Sequence, residues 1–177
     1  MTDSQSPAPK DTMPASPEDL FAYLDDLGIA HATTWHEAMF TVEQSSALKA
    51  DMPGAHTKNL FLKDAGGDLV LIAAEAHNQL KLNQLHRKIA TKRLSFGAPE
   101  LMTDVLGVTP GSVTAFSLMN DQPPRVRFLV DAVLAGADVV NFHPLTNTGT
   151  TAISQADFRR FVEATGHSFE VVDFSEL

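Results

Sequence analysis

The chain has 177 residues, 44% apolar and 20% charged, the size and make-up of one ordinary globular domain and not of a disordered or fibrous chain. It has no cysteine, which excludes a disulfide framework, a thiolate zinc site and a cysteine nucleophile. Thirteen basic against 22 acidic residues give a net charge of −9, which argues against indiscriminate binding to nucleic acid or anionic lipid.

Residues 1–15, with Pro7, Pro9 and Pro14 among small polar residues, cannot bury enough surface to offset their ordering entropy and are expected to form a tail, leaving 16–177 as a single domain. Their opening, Met1-Thr2-Asp3-Ser4, lacks the basic and apolar regions of a secretion signal, and no apolar run in the chain approaches the ~18 residues of a membrane span. A cytoplasmic location is expected. Ser16-Pro17-Glu18-Asp19 caps a helix that continues through Leu20, Leu24 and Leu27 to Gly28. A short strand is predicted over Ala32 to His36. Thr41-Val42-Glu43-Gln44 then resembles a capping box opening a short helix to about Ala50.

Lys58 to Lys63, a turn at Asp64-Ala65-Gly66-Gly67, and Asp68 to Ala74 read as a β-hairpin. Its second strand is apolar on both faces and is expected at the centre of a covered sheet. Asn78 to Ala90 places Leu82, Leu85 and Ile89 at helical spacing. The window from Ala76 to Pro99 holds no acidic residue but five cations, Lys81, Arg87, Lys88, Lys92 and Arg93, which this helix would gather largely on one face as a dock for a polyanion. A helix from Pro99 to Leu106 stops at Gly107. Strands are predicted over Ser112 to Leu118, Arg125 to Val130, Val139 to Phe142 and Ser168 to Phe174, with a capped helix from Ser154 to Thr165. Strands and helices interleave without a strict βαβ repeat. The fold class is α+β, a single domain with a mixed, mostly antiparallel β-sheet flanked by helices.

Three stretches could carry chemistry. Strand alternation puts Lys58 on the same side as Leu60 and Leu62, either as an ammonium snorkelling to water or as a partly desolvated cation that holds an anionic or carbonyl oxygen. Thr109-Pro110-Gly111-Ser112-Val113 is a turn that either only reverses the chain or lets exposed amides donate to an oxygen. Asn141 to Thr151 places His143 at a strand end, followed by hydroxyl and amide side chains including Thr146 and Asn147; the imidazole either caps carbonyls or serves a site. His31 with His36, and His77 with His86, lack zinc spacing, so no metal is expected. The Gly66-Gly67 pair precedes a strand, which excludes a phosphate loop. There is no G-x-S-x-G elbow, and the phenylalanines fall mostly at core spacing.

Lys58-Asn59-Leu60-Phe61-Leu62, Leu106-Gly107-Val108-Thr109-Pro110-Gly111-Ser112-Val113-Thr114 and Asn141-Phe142-His143-Pro144-Leu145-Thr146-Asn147-Thr148, in this order, closely resemble the YbaK/ProX family of aminoacyl-tRNA deacylases, with the free-standing ProXp-ala branch most similar. The resemblance spans roughly Glu18 to Phe174. It implies a trans-editing hydrolase that cleaves the ester of mischarged tRNA, most of all alanine on proline tRNA, with no cofactor. It further implies catalytic roles for Lys58, Asn59, Gly111 and His143, and substrate contacts from Ser112, Val113, Ala115, Thr146 and Asn147. The tRNA partner would lay its acceptor stem on Lys81, Arg87, Lys88, Lys92 and Arg93, with prolyl-tRNA synthetase as a further partner and neither DNA nor membrane involved. Ala115 stands where the family loop commonly has proline (G-x-x-x-P), which frees a φ angle and restores an amide donor. Alternative readings are a deacylase for serine or cysteine, and a non-catalytic module that binds tRNA or a synthetase.

Overall fold

The computed structural model describes residues 15–38 and 52–174. The expected tail and the helix predicted over Thr41 to Ala50 lie outside the described residues, apart from Ala15. Eight strands form one mixed sheet: β1 (Ala32–Trp35), β2 (Ala55–Asp64), β3 (Leu69–Glu75), β4 (Leu94–Phe96), β5 (Val126–Asp131), β6 (Val139–Phe142), β7 (Gly149–Ser154) and β8 (Glu170–Val172), in the order β1-β7-β6-β2-β3-β5-β8. Pairs β1·β7, β6·β7, β2·β3 and β2·β4 are antiparallel, whereas β2·β6, β3·β5 and β5·β8 are parallel. β3 is buried along nearly its whole length, as its two apolar faces predict.

Helices cover both faces. On one, α1 (Pro17–Asp26), α3 (Pro99–Leu106) and α5 (Gln155–Ala164) send Leu20, Leu24, Val105, Leu106, Phe158 and Phe161 into a core shared with Phe61, Leu71, Phe116, Phe128 and Phe142. On the other, α2 (Leu82–Lys88) sets Leu85 against Leu62, Val70, Ile72 and Leu94. Ser16 caps α1 as predicted, with Asp19 completing a capping box, and Ser154 caps α5. A one-turn helix, α4 (Ala132–Ala135), capped by the Asp131 carboxylate, fills the link before β6.

Several expectations are corrected. Ser112 to Leu118 is not a strand. Two 3-10 helices, Pro110–Ser112 and Ala115–Asn120, occupy this stretch, because the Thr114 hydroxyl caps the second by accepting from the Phe116 amide and Ser117 Oγ bonds the Thr114 carbonyl. α2 is only seven residues long. Leu80 packs into the core before it, and Ala90, at φ +59°, turns the chain into the left-handed region after it. The basic window is therefore not one helix face: Lys81 is the N-cap residue, Arg87 and Lys88 lie in the last turn, and Lys92 and Arg93 lead into β4. β4 and β7 were not anticipated, and the final strand shortens to Glu170–Val172.

Candidate functional site

β2 is served unevenly by its neighbours. β3 pairs with it from Thr57 to Lys63 along one edge. The other edge is shared: β6 pairs at Ala55 and His56, and β4 pairs at Leu62 to Asp64. Among the described residues no strand pairs with this edge from Thr57 to Leu60. The Phe61 carbonyl accepts from the Gly97 amide and the Ala55 carbonyl from Asn141 Nδ2, both on this edge, whereas the His56 carbonyl accepts from Ala76 on the β3 side. The parallel register of His56 with Asn141 uses the Thr57 amide, and backbone alternation then aims the Thr57 carbonyl and the amide and carbonyl of Asn59 into the gap.

Lys58 and Asn59 lie on this stretch. The parallel register ends with His56 opposite Asn141, and the next positions of the same parity are Lys58 and His143. Both belong to the sheet face that carries Leu60 and Leu62, and both are half-buried. Asn59 points to the opposite face, with Phe61. Its amide Nδ2 donates to Thr57 Oγ1 at 3.3 Å, and its Oδ1 is buried without a hydrogen-bond partner. A buried acceptor left open costs about 1–3 kcal/mol, so a ligand donor has something to gain there. The Gly111 turn also approaches from this second face, since Val113, Ala115 and Phe116 join the core on that side. Gly111 lies against the histidine loop: a Cβ there would stand 3.2 Å from Asn147 Nδ2. The Gly111 turn and the loop after His143 thus touch each other through Asn147, and Lys58 and Asn59 flank the β2 gap.

His143 donates from Nδ1 to the Gly149 carbonyl at 3.0 Å. That bond fixes the neutral tautomer with Nε2 as an acceptor, and among the described residues Nε2 has no partner. Burial pushes the imidazole pKa below its ordinary 6.5, and His36 nearby lowers it further against the opposing pull of the Gly149 carbonyl. His36 Nε2 in turn accepts from Thr150 Oγ1 at 2.8 Å. Thr146 and Thr148 hydroxyls bond each other at 3.1 Å and shape the loop.

The predicted substrate contacts divide into two groups. Thr146 and Asn147 are half-buried, and Asn147 lies beside Gly111. Ser112, Val113 and Ala115 are buried, Ala115 completely, and pack beneath the turn. Ala115 is the first residue of a 3-10 helix, a position where proline is well tolerated, and the Thr114 cap holds the loop without one. The Thr114 cap was legible only as a threonine between two apolar residues. All five predicted tRNA-contacting cations are exposed. A cavity of about 250 Å³ at the hairpin end of the sheet, lined by Asp64, Asp68, Arg125 and Arg127 among others, includes none of the predicted site residues. Among the described residues, no three His, Asp or Glu side chains converge as a metal site would need, and no helix is long and apolar enough to cross a membrane.

Residues 36–161 match the model of the aminoacyl-tRNA editing domain family. The chain is 30% identical over 155 residues to the prolyl-tRNA editing protein ProX of Acetoanaerobium sticklandii, covering 87% of this chain and 94% of that protein. It is 34% identical to prolyl-tRNA synthetase associated domain-containing protein 1 of Mus musculus, covering 85% and 92%. A crystal structure provisionally described as a trans-editing enzyme for prolyl tRNA synthetase superposes with a TM-score of 0.68 at 18% identity, over 95% of this chain and 98% of that one; this likeness is one of fold.

Proposed function

Because the chain belongs to the aminoacyl-tRNA editing domain family, the YbaK/ProX deacylases, we propose that it is a trans-editing hydrolase that frees a wrongly attached amino acid from tRNA, with alanine on proline tRNA as the substrate, acting in the cytoplasm. What supports this reading is the open edge of β2 at Lys58 and Asn59, together with the close approach of the Gly111 turn to Asn147 of the loop after His143. The name of the ProX relative supports the reaction class, and the names of the synthetase-associated relatives support prolyl-tRNA synthetase as a partner.

In this reading water adds to the ester carbonyl, the bond to the terminal ribose oxygen breaks, and that oxygen leaves with a proton as a hydroxyl. The Lys58 ammonium offsets charge on the carbonyl oxygen as it becomes an oxyanion. Neutral His143 accepts at Nε2 from the water or from a ribose hydroxyl. Asn59 Oδ1 and the β2 peptide groups hold the amino group and the carbonyl of the substrate, and Gly111 keeps the turn close to Asn147. Donors and acceptors fixed in advance can lower the barrier without an acid-base triad. The floor built by Val113 and Ala115 excludes bulk, which discriminates alanine from proline better than the roughly 1–3 kcal/mol per methylene of a tolerant pocket. The exposed cations meet acceptor-stem phosphates, with affinity that falls as salt rises.

The test compares hydrolysis of alanyl and prolyl esters of proline tRNA by the wild type and by Lys58→Ala. Alanyl ester should be cleaved preferentially, and the variant should lose about 10²- to 10³-fold in kcat/KM, the scale of one lost oxyanion donor. Equal turnover by both proteins would remove Lys58 from the site. Salt-sensitive tRNA binding with no cleavage of any mischarged tRNA would establish a binding module instead, and preferential cleavage of seryl or cysteinyl esters would reassign the substrate.

A further inference from the structure

Phe96 is the most exposed large apolar side chain among the described residues, at 64% of its surface. It ends β4, an edge strand, directly opposite Leu62 of β2. Paired residues of an antiparallel ladder share a face, so Phe96 lies on the sheet face of Leu60, Leu62 and Lys58. Lys58 is four residues from Leu62, roughly 13 Å along the strand at the usual rise. Because β4 runs antiparallel to β2, the chain after Phe96 heads toward the gap, and Gly97 bonds Phe61 at its rim. The aromatic ring thus stands at the far rim of the candidate site.

Its surroundings hold more cations than acids, the nearest acids being Asp64, opposite Leu94 and beside Lys92, and Glu100. Lys92 and Arg93 precede it on the same segment, Lys63 is opposite Ser95, and Arg87 and Lys88 lie in the last turn of α2 beside β4, all five exposed. The other exposed aromatic differs on both counts. Trp35 leans on Phe21 at a ring distance of 6.1 Å and covers Gly149, and the acids nearest it in sequence or contact are Asp25, Asp26 and Glu37. A lone flat ring in a field of cations, on the same face as a site for an ester at the end of a nucleic acid strand, has the two components of a single-strand platform: a π face for a base and charge for the backbone.

We propose that Phe96 stacks an unpaired base of the 3′ tail of tRNA, holding the tail between the basic segment and the β2 gap. This inference rests on the proposed tRNA substrate, but its test does not need catalysis. The affinity of uncharged tRNA is measured with its 3′ tail intact and with the unpaired nucleotides trimmed, for wild type, Phe96→Ala, Phe96→Leu and Phe96→Tyr. Phe96→Ala should bind intact tRNA roughly 5- to 150-fold more weakly, the range for one lost base–aromatic stack. Trimmed tRNA should bind all four proteins alike. Phe96→Tyr should match wild type and Phe96→Leu should match Phe96→Ala. Because the side chain is solvent-exposed, the variants should fold, and unchanged circular dichroism confirms it. Equal affinity of wild type and Phe96→Ala for intact tRNA overturns the proposal. So does an equal loss on trimmed tRNA, which would put the ring on the duplex, or full binding by Phe96→Leu, which would reduce it to an apolar contact. A loss confined to binding of prolyl-tRNA synthetase would assign the ring to a protein partner. Absence of deacylation in the wild type would refute the proposed reaction and leave this binding result standing on its own.

Discussion

Gly97→Ala asks how firmly the edge of β2 is held. Gly97 donates to the Phe61 carbonyl at 2.9 Å, and a Cβ on Gly97 would stand 2.6 Å from Phe61 Cε2 and closer still to Cδ2. Ordinary contact begins near 3.4 Å. The ring is 2% exposed and enclosed by the core, so it cannot swing into solvent, and β4 or the ring must give way by about an ångström. Overpacking of this kind costs about 1–3 kcal/mol. In a domain of this size each kcal/mol lowers Tm by roughly 2–4 °C, which gives a fall of roughly 2–12 °C. Thermal melts followed by circular dichroism measure it for Gly97→Ala, Phe61→Leu and the double variant. Leucine lacks the ring edge that the new methyl strikes, so the double variant should be less destabilised than the sum of the single ones by about 1 kcal/mol or more. A Gly97→Ala protein that melts with the wild type, or costs that simply add, would refute the steric reasoning.

His143 and Asp121 give two pH-dependent tests. The folded pKa of His143 lies below 6.5, so just under that pH the unfolded chain binds more protons than the folded one; stability contributed by the neutral imidazole is complete above 6.5 and is lost as pH falls toward the folded value. The acid limb of kcat/KM should lie below pH 6.5, with NMR showing the Nδ1–H tautomer at pH 6.5; an imidazole titrating above 6.5 contradicts both. Asp121 is fully buried, and burial alone would raise its pKa, yet His167 Nε2 at 2.8 Å and the Arg125 and Val126 amides at 2.9 Å each hold it below 3.8. Its contribution is present above pH 3.8 and disappears as pH drops through the folded value. Asp121→Ala strands three donors and should cost about 3–5 kcal/mol in urea denaturation at pH 7, with Asp121→Asn costing less because it keeps one oxygen; a loss under about 1 kcal/mol for the alanine variant would contradict the network.

What the sequence conveyed was local. Caps at Ser16 and Ser154, the glycine stop at Gly107 and the two-sided apolar run of β3 all act over a few residues, and they appear as predicted. The lysine on an apolar-facing position was legible for the same reason, since strand parity alone places Lys58 with Leu60 and Leu62. The failures are of another kind. Ser112 to Leu118 has the composition of a strand, but hydroxyls at Thr114 and Ser117 offer the backbone local partners and bend it into 3-10 turns. β4 has only three residues and exists through pairing with residues 30 to 34 positions away. No periodicity announces such a pairing, and so neither the gap in the β2 edge nor the exposure of Phe96 could be read beforehand.

That gap gives the proposed site its frame. A strand flanked on one edge by β6 at its start and by β4 at its end leaves peptide groups between them without a sheet partner among the described residues, and such groups need donors and acceptors of the right spacing. Lys58, Asn59 and the His143 loop lie where the two flanking strands part, so the sheet itself sets their separation, and a rigid strand carries two of the four proposed catalytic groups. In the proposed reaction the substrate carbonyl and amino group complete the edge that β6 and β4 leave unfinished. The fit then depends on backbone positions, which substitution of side chains barely moves, and selectivity falls to the buried floor under the Gly111 turn. Variation at Ala115 and Val113 should accordingly change which amino acid is accepted, while variation at Lys58 should change how fast any of them is released.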